Sequence, residues 1–288
     1  MNTAFTEKGL DSPRLCAEML VAHVLGCDRL RLYTDPDRPA SPLERETLRG
    51  LVARALRHEP IQYLVGEAWF FGLPLYVDRR VLVPRACTEA IVEQVIQHAR
   101  ARPGFGGPSG EATLIADVCT GSGCIAVALA RHLPHARVIA TDISPDALEV
   151  TARNAERHGV SDRLDLRAGN LLEPVLAHAA AGQNQALSYL CSNPPYILDA
   201  EWDAVPRNVR EHEPERALRG GPDGLQLVAP IVAGAAALLR PGGLLLVEIA
   251  SVTREQVLDL CRSTQAFEQP TVLNDLEGKP RTLVAVRS

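Results

Sequence analysis

Four consecutive residues, Asn193, Pro194, Pro195 and Tyr196, carry the groups best suited to chemistry in this chain. The Asn193 side-chain oxygen and the Pro194 carbonyl can each accept one hydrogen of a planar amino group. The two proline rings restrict the backbone and hold that carbonyl in place. Tyr196 can cover the planar group and contact a cationic methyl donor. The segment therefore predicts a pocket for methylation by direct in-line transfer, without a covalent enzyme intermediate or a metal.

A second motif, Asp117 to Ala126, has the features of a cofactor-binding turn. Gly121, Gly123 and Ala126 alone fit a dinucleotide-binding pattern, and Asp142 lies near the spacing expected for a ribose-binding acid. An aspartate at the strand end would repel a pyrophosphate but attract the ammonium of S-adenosylmethionine. We therefore expect S-adenosylmethionine as methyl donor, with its carboxylate facing the backbone amides of the turn and its ribose hydroxyls bonded to Asp142.

The elements around these motifs predict an α/β fold with a parallel sheet. From Leu114 onward, apolar strands alternate with amphipathic helices, as in βαβ units. Both motifs follow predicted strands, and open α/β sheets bind ligands at the carboxyl ends of their strands. The expected parallel strands are Leu114 to Val118, Arg137 to Thr141, Leu164 to Ala168, Ala186 to Cys191 and Gly243 to Ile249. A closing hairpin, Thr271 to Leu276 with Thr282 to Val286, should make one edge strand antiparallel.

Helical signals dominate the preceding region. Ser12 can cap one helix that Gly26 ends, and Ser41 with Glu44 predicts a capping box for another. From Ala68 to Val83, aromatic and β-branched residues around a Gly-Leu-Pro turn suggest a hairpin or an extended linker. We expect a division into a small helical domain over 1–66, a hairpin linker over 67–84 and a methyltransferase domain over 85–288.

Composition narrows the classes of protein. The chain has 288 residues, 46% of them hydrophobic, which suffices for a small domain joined to a larger one. It has neither an apolar run of the roughly 20 residues that cross a bilayer nor a signal-peptide pattern, so we expect a cytoplasmic protein without membrane contact. A net charge of -5 argues against broad electrostatic binding of nucleic acid. Seven scattered cysteines suggest reduced, mostly buried thiols rather than disulfides or a zinc site. The Gly- and Pro-rich stretch Arg102 to Gly110 predicts a surface loop.

Taken together, these segments resemble the HemK-like N5-glutamine methyltransferases, which modify the catalytic glutamine of peptide-chain release factors. The resemblance covers most of the chain through the glycine turn and the segments Pro60 to Gly66, Val81 to Arg85, Ser192 to Ile197, His212 to Pro214 and Gly220 to Leu225. Asn-Pro-Pro-Tyr alone also occurs in adenine-N6 methyltransferases. In combination with the other segments it becomes specific.

The resemblance implies a class I, Rossmann-like methyltransferase fold with a seven-stranded sheet and a helical domain that grips the protein substrate. It implies transfer from S-adenosylmethionine to the N5 nitrogen of the glutamine in the release-factor GGQ motif, and we expect a monomer. The expected catalytic residues are Asn193, Pro194, Pro195 and Tyr196. The expected cofactor-binding residues are Asp117, Cys119, Thr120, Gly121, Ser122, Gly123, Asp142, Asn170, Leu171 and Asn193.

Some positions depart from the family pattern. Ala86 and Cys87 replace the usual residues before Thr88-Glu89, and Asn170 stands where an acid is usual near the adenine. The turn with Cys119 is closer to the sister family that acts on ribosomal protein L3. The helical start and the segment Asp275 to Arg281 look more like the release-factor enzymes, so L3 is the second substrate candidate.

Other interpretations remain open. A nucleic-acid adenine methyltransferase would use the same pocket on a flipped base, but it predicts a basic groove, and the acidic balance and lack of Arg/Lys clusters count against it. A noncatalytic module would keep the sheet and lose the pocket. The structural alternatives are Asn193 as a strand cap, Asp142 as a helix cap before Ser144, Arg85 and Glu89 as a surface ion pair, Glu248 as a structural hydrogen-bond partner, and Trp69, Phe70 and Phe71 as interdomain packing.

Overall fold

Five helices form the first part of the protein in this computed structural model, which describes residues 1–107, 112–181 and 186–288. They are α1 (Asn2–Glu7), α2 (Pro13–Leu25), α3 (Arg31–Thr34), α4 (Pro42–Ala55) and α5 (Ile61–Val65). The end of α2 at Gly26 and the capping box of Ser41 with Glu44 are confirmed. Ser12 takes the N-cap position of α2, but its left-handed backbone (φ 49°) leaves its side chain without a capping bond. The last residues of the predicted loop Arg102 to Gly110 lie outside the described residues.

An antiparallel hairpin follows the helices, as predicted. Its strands are β1 (Glu67–Phe70) and β2 (Leu73–Tyr76). Phe70 is buried in the main core, whereas Trp69 is 64% exposed, so the packing interpretation holds for Phe70 and is wrong for Trp69. The segment after the hairpin is joined to the helical part, because the Tyr63 hydroxyl donates to the Val81 carbonyl at 2.5 Å.

A seven-stranded sheet forms the centre of the remaining chain. Its strands are β3 (Thr113–Val118), β4 (Ala136–Asp142), β5 (Leu164–Ala168), β6 (Leu187–Ser192), β7 (Leu239–Glu248), β8 (Phe267–Asn274) and β9 (Pro280–Arg287). The strand order is β5-β4-β3-β6-β7-β9-β8. The prediction that the first five of these strands in the sequence, β3 through β7, are parallel to one another is confirmed. Every residue of β3 and β6 is buried, as expected for central strands.

The closing hairpin occupies a different position from the one predicted. β9 is antiparallel to both of its neighbours and lies between β7 and β8, so the antiparallel strand is inside the sheet rather than at its edge. Leu283 and Ala285 of β9 are buried in an apolar core, as suits an inner strand. β8 carries exposed polar residues and Pro270, a residue tolerated at sheet edges because it has no amide hydrogen to donate.

Helices cover both faces of the sheet. They are α6 (Glu89–Ala101), α7 (Cys124–His132), α8 (Pro145–Arg157), α9 (Glu173–Ala180), α10 (Arg207–Arg210), α11 (Val228–Leu238) and α12 (Arg254–Ser263). α6 and α7 contribute to one apolar core, and α11 and α12 contribute to another. All seven cysteines are free thiols, as expected, but the expectation that most of them are buried is wrong, because only Cys191 and Cys261 are. Within the described ranges, none of the helices is long and apolar enough to span a membrane.

Candidate active site

A cavity of about 620 Å³ opens where β3, β4, β5 and β6 reach their carboxyl ends. This is the sheet edge at which open α/β folds bind ligands. The predicted site residues that line it are Cys119, Thr120, Gly121, Ser122, Asp142, Asn170, Leu171, Asn193 and Pro195. The other four, which do not line it, are Asp117, Gly123, Pro194 and Tyr196. The fold thus brings both sequence motifs to one cavity.

Asp117 lies behind the glycine turn and is completely buried. Its Oδ2 accepts a hydrogen bond from the Thr120 hydroxyl at 2.6 Å and another from the Ala126 amide at 3.1 Å, which fixes the shape of the turn. Its Oδ1 has no partner within the described part of the chain. Burial raises the pKa of Asp117 to about 7. A buried acceptor without a partner fits a cationic group such as the ammonium of S-adenosylmethionine, and direct contact with it stays a prediction.

Left-handed backbone conformations shape the wall of the cavity. Gly121 and Gly123 have φ values of 56° and 77°, and a Cβ at Gly123 would lie 2.7 Å from the Thr151 side chain. Only glycine therefore fits at Gly123. Cys119 and Leu171 adopt φ values of 60° and 46° although they carry side chains. Such strained residues concentrate at binding and active sites.

Asp142 joins the glycine turn to the start of α8. Its Oδ2 accepts from the Gly121 amide and its Oδ1 accepts from the Ser144 amide, each at 2.9 Å. The cap of α8 is Ser144, whose hydroxyl oxygen accepts from the Ala147 amide, so Asp142 supports the helix start without being its cap. Each carboxylate oxygen keeps capacity for a further hydrogen bond. Asp142 can therefore hold the turn and bind ribose hydroxyls together.

Asn193 is connected to a fully buried glutamate through one hydroxyl group. The Asn193 Nδ2 donates to the Thr88 Oγ1 at 3.0 Å, and the Thr88 hydroxyl donates to the Glu248 Oε2 at 2.6 Å. The Tyr196 hydroxyl donates to the Glu248 Oε1 at 2.7 Å. The interpretation of Glu248 as a structural hydrogen-bond partner is confirmed, whereas Thr88 was not identified as a site residue from the sequence.

The Gly-rich segment after residue 219 packs on the backbone of Tyr196. A Cβ at Gly220 would lie 2.7 Å from the Tyr196 Cα, and one at Gly224 would lie 2.7 Å from the Tyr196 carbonyl oxygen. Ile197 donates to the Leu218 carbonyl at 2.9 Å and accepts from the Gly220 amide at 2.8 Å. Close approach of two backbones explains why glycines occur there.

Arginines also line the cavity, although the sequence shows no obvious basic cluster. They are Arg79, Arg80, Arg85 and Arg216. Three are paired with carboxylates, as Arg79–Glu59 at 2.7 Å, Arg80–Asp78 at 2.7 Å and Arg85–Glu213 at 2.6 Å, and Glu59 is shared with Arg54. The fold thus brings four arginines together at the cavity, although the sequence analysis expected no Arg/Lys cluster. Nearby carboxylates balance most of their charge.

The proposed surface ion pair of Arg85 with Glu89 is wrong. Arg85 instead pairs with Glu213, whose side chain is completely buried and whose second oxygen accepts from the Val83 amide at 3.0 Å. Glu89 accepts from the Phe71 amide at 2.6 Å. Both carboxylates therefore anchor backbone segments beside the cavity. Arg85 and Glu89 each bind a partner distant in the sequence instead of each other.

A seven-stranded sheet with a glycine turn after β3, an acid at the end of β4 and Asn-Pro-Pro-Tyr after β6 defines a class I S-adenosylmethionine-dependent methyltransferase. Solved structures with this fold include the N-terminal domain of human METTL16 in complex with SAH, at 16% identity, TM-score 0.53 and coverage of 75% of this chain and 76% of that one. Another METTL16 methyltransferase domain, described as delta-N, has 17% identity, TM-score 0.55 and coverage of 75% and 89%. These likenesses establish the fold alone.

Sequence comparisons narrow the class to one family. Residues 2–66 match the PrmC N-terminal domain, and residues 115–211 match a methyltransferase domain. The release factor glutamine methyltransferase of Chlorobaculum tepidum is 42% identical over 97% of this chain and 92% of its own length. That of Geobacter sulfurreducens is 43% identical over 90% and 84%. The chain belongs to the release factor glutamine methyltransferase family.

Replacement of Asp117 with asparagine should separate the structural effect of its charge from its effect on the cofactor. The pKa of Asp117 is raised in the folded state, so its contribution to stability is fully present below its unfolded pKa and is lost as pH rises toward about 7. We expect Asp117→Asn to raise the Tm by at least about 2 °C at pH 8 relative to wild type, with a smaller difference at pH 5. Calorimetry should show S-adenosylmethionine binding weakened by about tenfold or more, because an amide cannot attract an ammonium.

Asp162→Asn is the matched control, since Asp162 is exposed on the turn before β5. It should change neither the Tm nor the affinity. Unaltered cofactor affinity in Asp117→Asn would show that the charge acts on the turn alone.

Proposed function

We propose that this chain transfers the methyl group of S-adenosylmethionine to the N5 amide nitrogen of the glutamine in the release-factor GGQ motif. The observation that carries the proposal is the setting of Asn193, whose nitrogen is bonded to Thr88 while the residue lines the same cavity as the glycine turn and Asp142. An amide acceptor beside a cofactor pocket suits a planar amide substrate. The membership of the family supports glutamine as that substrate.

Alignment and electrostatics must supply most of the rate. The nitrogen of a carboxamide is a poor nucleophile, because its lone pair is delocalised into the carbonyl group. In the proposed complex, the Asn193 Oδ1 and the Pro194 carbonyl each accept one hydrogen of the glutamine amide, which raises electron density on nitrogen and fixes its direction. In the same proposed complex, Tyr196 would cover the amide, and the bond from its hydroxyl to Glu248 would hold its ring in one orientation. No strong base is needed, since the amide proton becomes acidic as nitrogen gains the methyl group.

The residues present fit the methyl donor, which supplies an activated methyl group when bound. Asp117 has an unpartnered buried oxygen for a cationic group, and the cavity of about 620 Å³ has room for a nucleoside. Asp142 would bind the ribose hydroxyls, and Asn170, which is exposed at the cavity, would bond the adenine. Backbone amides of the glycine turn would face the carboxylate of the donor, apart from those of Thr120, Gly121 and Gly123, which donate within the protein.

The substrate is tested by incubating the protein with labelled S-adenosylmethionine and, in separate reactions, release factors, ribosomal protein L3 and DNA. We expect label on the release factors and none on a release factor whose GGQ glutamine is changed to alanine. Label on L3 alone would move the activity to the alternative substrate. Label on DNA alone would overturn the assignment to a protein amide, and absence of both label and cofactor binding would indicate a noncatalytic module. The same proposal includes three further points. The protein acts as a monomer, residues 1–66 grip the substrate, and the protein is located in the cytoplasm, where release factors work.

A further inference from the structure

We propose that Thr88 and Glu248 are positioning residues that determine which atom of the Asn193 amide faces the substrate. The inference deepens the proposed function and rests on it for its kinetic test, while a spectroscopic test below is independent of any substrate. Neither residue needs to touch the reacting atoms. Both act through one chain of hydrogen bonds from β7 to the Asn-Pro-Pro-Tyr segment.

The chain of hydrogen bonds begins at Glu248, which is completely buried at the end of β7. Three donors face its two oxygens: the Thr88 hydroxyl at 2.6 Å, the Tyr196 hydroxyl at 2.7 Å and the Cys87 thiol at 3.5 Å. Burial raises the pKa of Glu248, whereas these donors and the nearby Arg281 guanidinium act in the opposite direction. A set of donors without an acceptor suits the ionised carboxylate.

The donor-to-acceptor direction of these hydrogen bonds follows from the single hydrogen on the Thr88 hydroxyl. That hydrogen is given to the Glu248 carboxylate, which can only accept. The Thr88 oxygen can then only accept from Asn193, so the nitrogen of the Asn193 amide must face Thr88, at 3.0 Å. An asparagine amide can otherwise rotate by half a turn, because its oxygen and nitrogen have the same shape. The carboxylate therefore keeps the Asn193 oxygen free to accept a substrate hydrogen.

The same glutamate also fixes the aromatic residue of the site, Tyr196. Its Oε1 holds the Tyr196 hydroxyl, and the Arg281 guanidinium lies 5.8 Å from the centre of the Tyr196 ring. One buried carboxylate thus sets both the amide acceptor and the ring beside it. Loss of this control should disturb alignment, on which the rate depends, more than binding.

The first test is Thr88→Val, which keeps the shape of the side chain and removes the hydroxyl. We expect kcat to fall by about 10 to 100-fold, with the substrate KM and the S-adenosylmethionine Kd within about twofold of wild type. Thr88→Ser retains the hydroxyl and should restore kcat to within about threefold. Thr271→Val makes the same change at an exposed position on β8 and should alter nothing.

The second test uses Glu248→Gln, whose amide nitrogen can donate to the Thr88 or the Tyr196 hydroxyl, so that residue 248 no longer forces both hydroxyls to donate to it. We expect a similar loss of kcat, and we expect the Thr88→Val/Glu248→Gln double variant to be no slower than the slower single variant, because both changes break one chain. Additive losses would show that the two residues act separately and would overturn the inference. An equal loss of kcat and cofactor affinity in Thr88→Val would indicate a purely structural role and would also overturn it.

The third test needs no substrate. In the wild-type protein with labelled asparagine, the Asn193 side-chain amide hydrogen that is bonded to Thr88 should exchange with solvent at least about tenfold more slowly than those of the exposed Asn274. Thr88→Val should remove this protection and Thr88→Ser should keep it. Rapid exchange in the wild type would contradict the positioning chain even if the enzyme methylates release factors. Failure of methylation with intact protection would instead contradict the proposed substrate.

Discussion

Replacement of Asn193 with alanine is expected to lower kcat by about 10² to 10³-fold, the effect of removing one preorganised group that stabilises the transition state. The side chain is partly exposed, and its described bond is the one to Thr88, so the fold should survive. We expect the S-adenosylmethionine Kd to change by less than about tenfold, because most of the cavity lining remains. Single-turnover methylation and calorimetry measure the two quantities separately.

Asn274→Ala provides the matched control, because Asn274 is exposed on the edge strand β8. Its kcat, Kd and Tm should equal those of the wild type. Turnover close to normal in Asn193→Ala would remove the amide oxygen from the proposed mechanism. A large fall in Tm would show that the residue supports the fold, and the role in transfer would then have to be judged from Thr88→Val.

Asp142→Ala is expected to produce the largest loss of cofactor affinity, by about 10² to 10³-fold in Kd. Hydrogen bonds to a charged group contribute about 1.5–3 kcal/mol each, and the change removes those to the ribose hydroxyls. It also leaves the Gly121 and Ser144 amides without their acceptor, so the turn itself should loosen. Calorimetric titration with S-adenosylmethionine or its demethylated product measures the effect.

Asp142→Asn separates the two contributions, since an amide oxygen can still accept from one of the backbone amides. Its Kd should lie between those of the wild type and Asp142→Ala. The exposed Asp162→Ala should bind the cofactor normally. An unchanged Kd in Asp142→Ala would exclude the proposed ribose contact, whatever the effect on turnover.

Local sequence patterns were sufficient to predict most of the fold. The period of apolar residues identified the parallel strands, and the capping box at Ser41 identified the start of α4 because its two partners are three residues apart. The position of β9 was not predictable in this way. Strand order depends on which strand buries more apolar surface between neighbours, and the sequence signal for a hairpin is the same whichever of its strands is at the edge.

The candidate site likewise contains residues that local motifs predicted and residues that only the folded structure brings together. Contiguous motifs identified the glycine turn and the Asn-Pro-Pro-Tyr segment. Thr88 and Glu248 are separated by 160 positions, and Arg85 and Glu213 by 128, so only the folded chain shows that they meet. One signal was nevertheless present for Thr88, because Thr88-Glu89 belongs to a segment shared with the family. Its neighbour Glu89 supports the hairpin through Phe71 instead.

The place of β9 beside β7 has a consequence for synthesis on the ribosome. Glu248 is paired with Thr282 of β9, and the Ile249 amide donates to the Arg281 carbonyl at 2.8 Å. The strand end that carries the buried carboxylate is thus completed only by residues translated well after it. A nascent polypeptide that has emerged as far as β7 already contains every residue that we propose to contact the donor or the acceptor amide, and we expect it to stay inactive until β9 has left the exit tunnel and paired with β7.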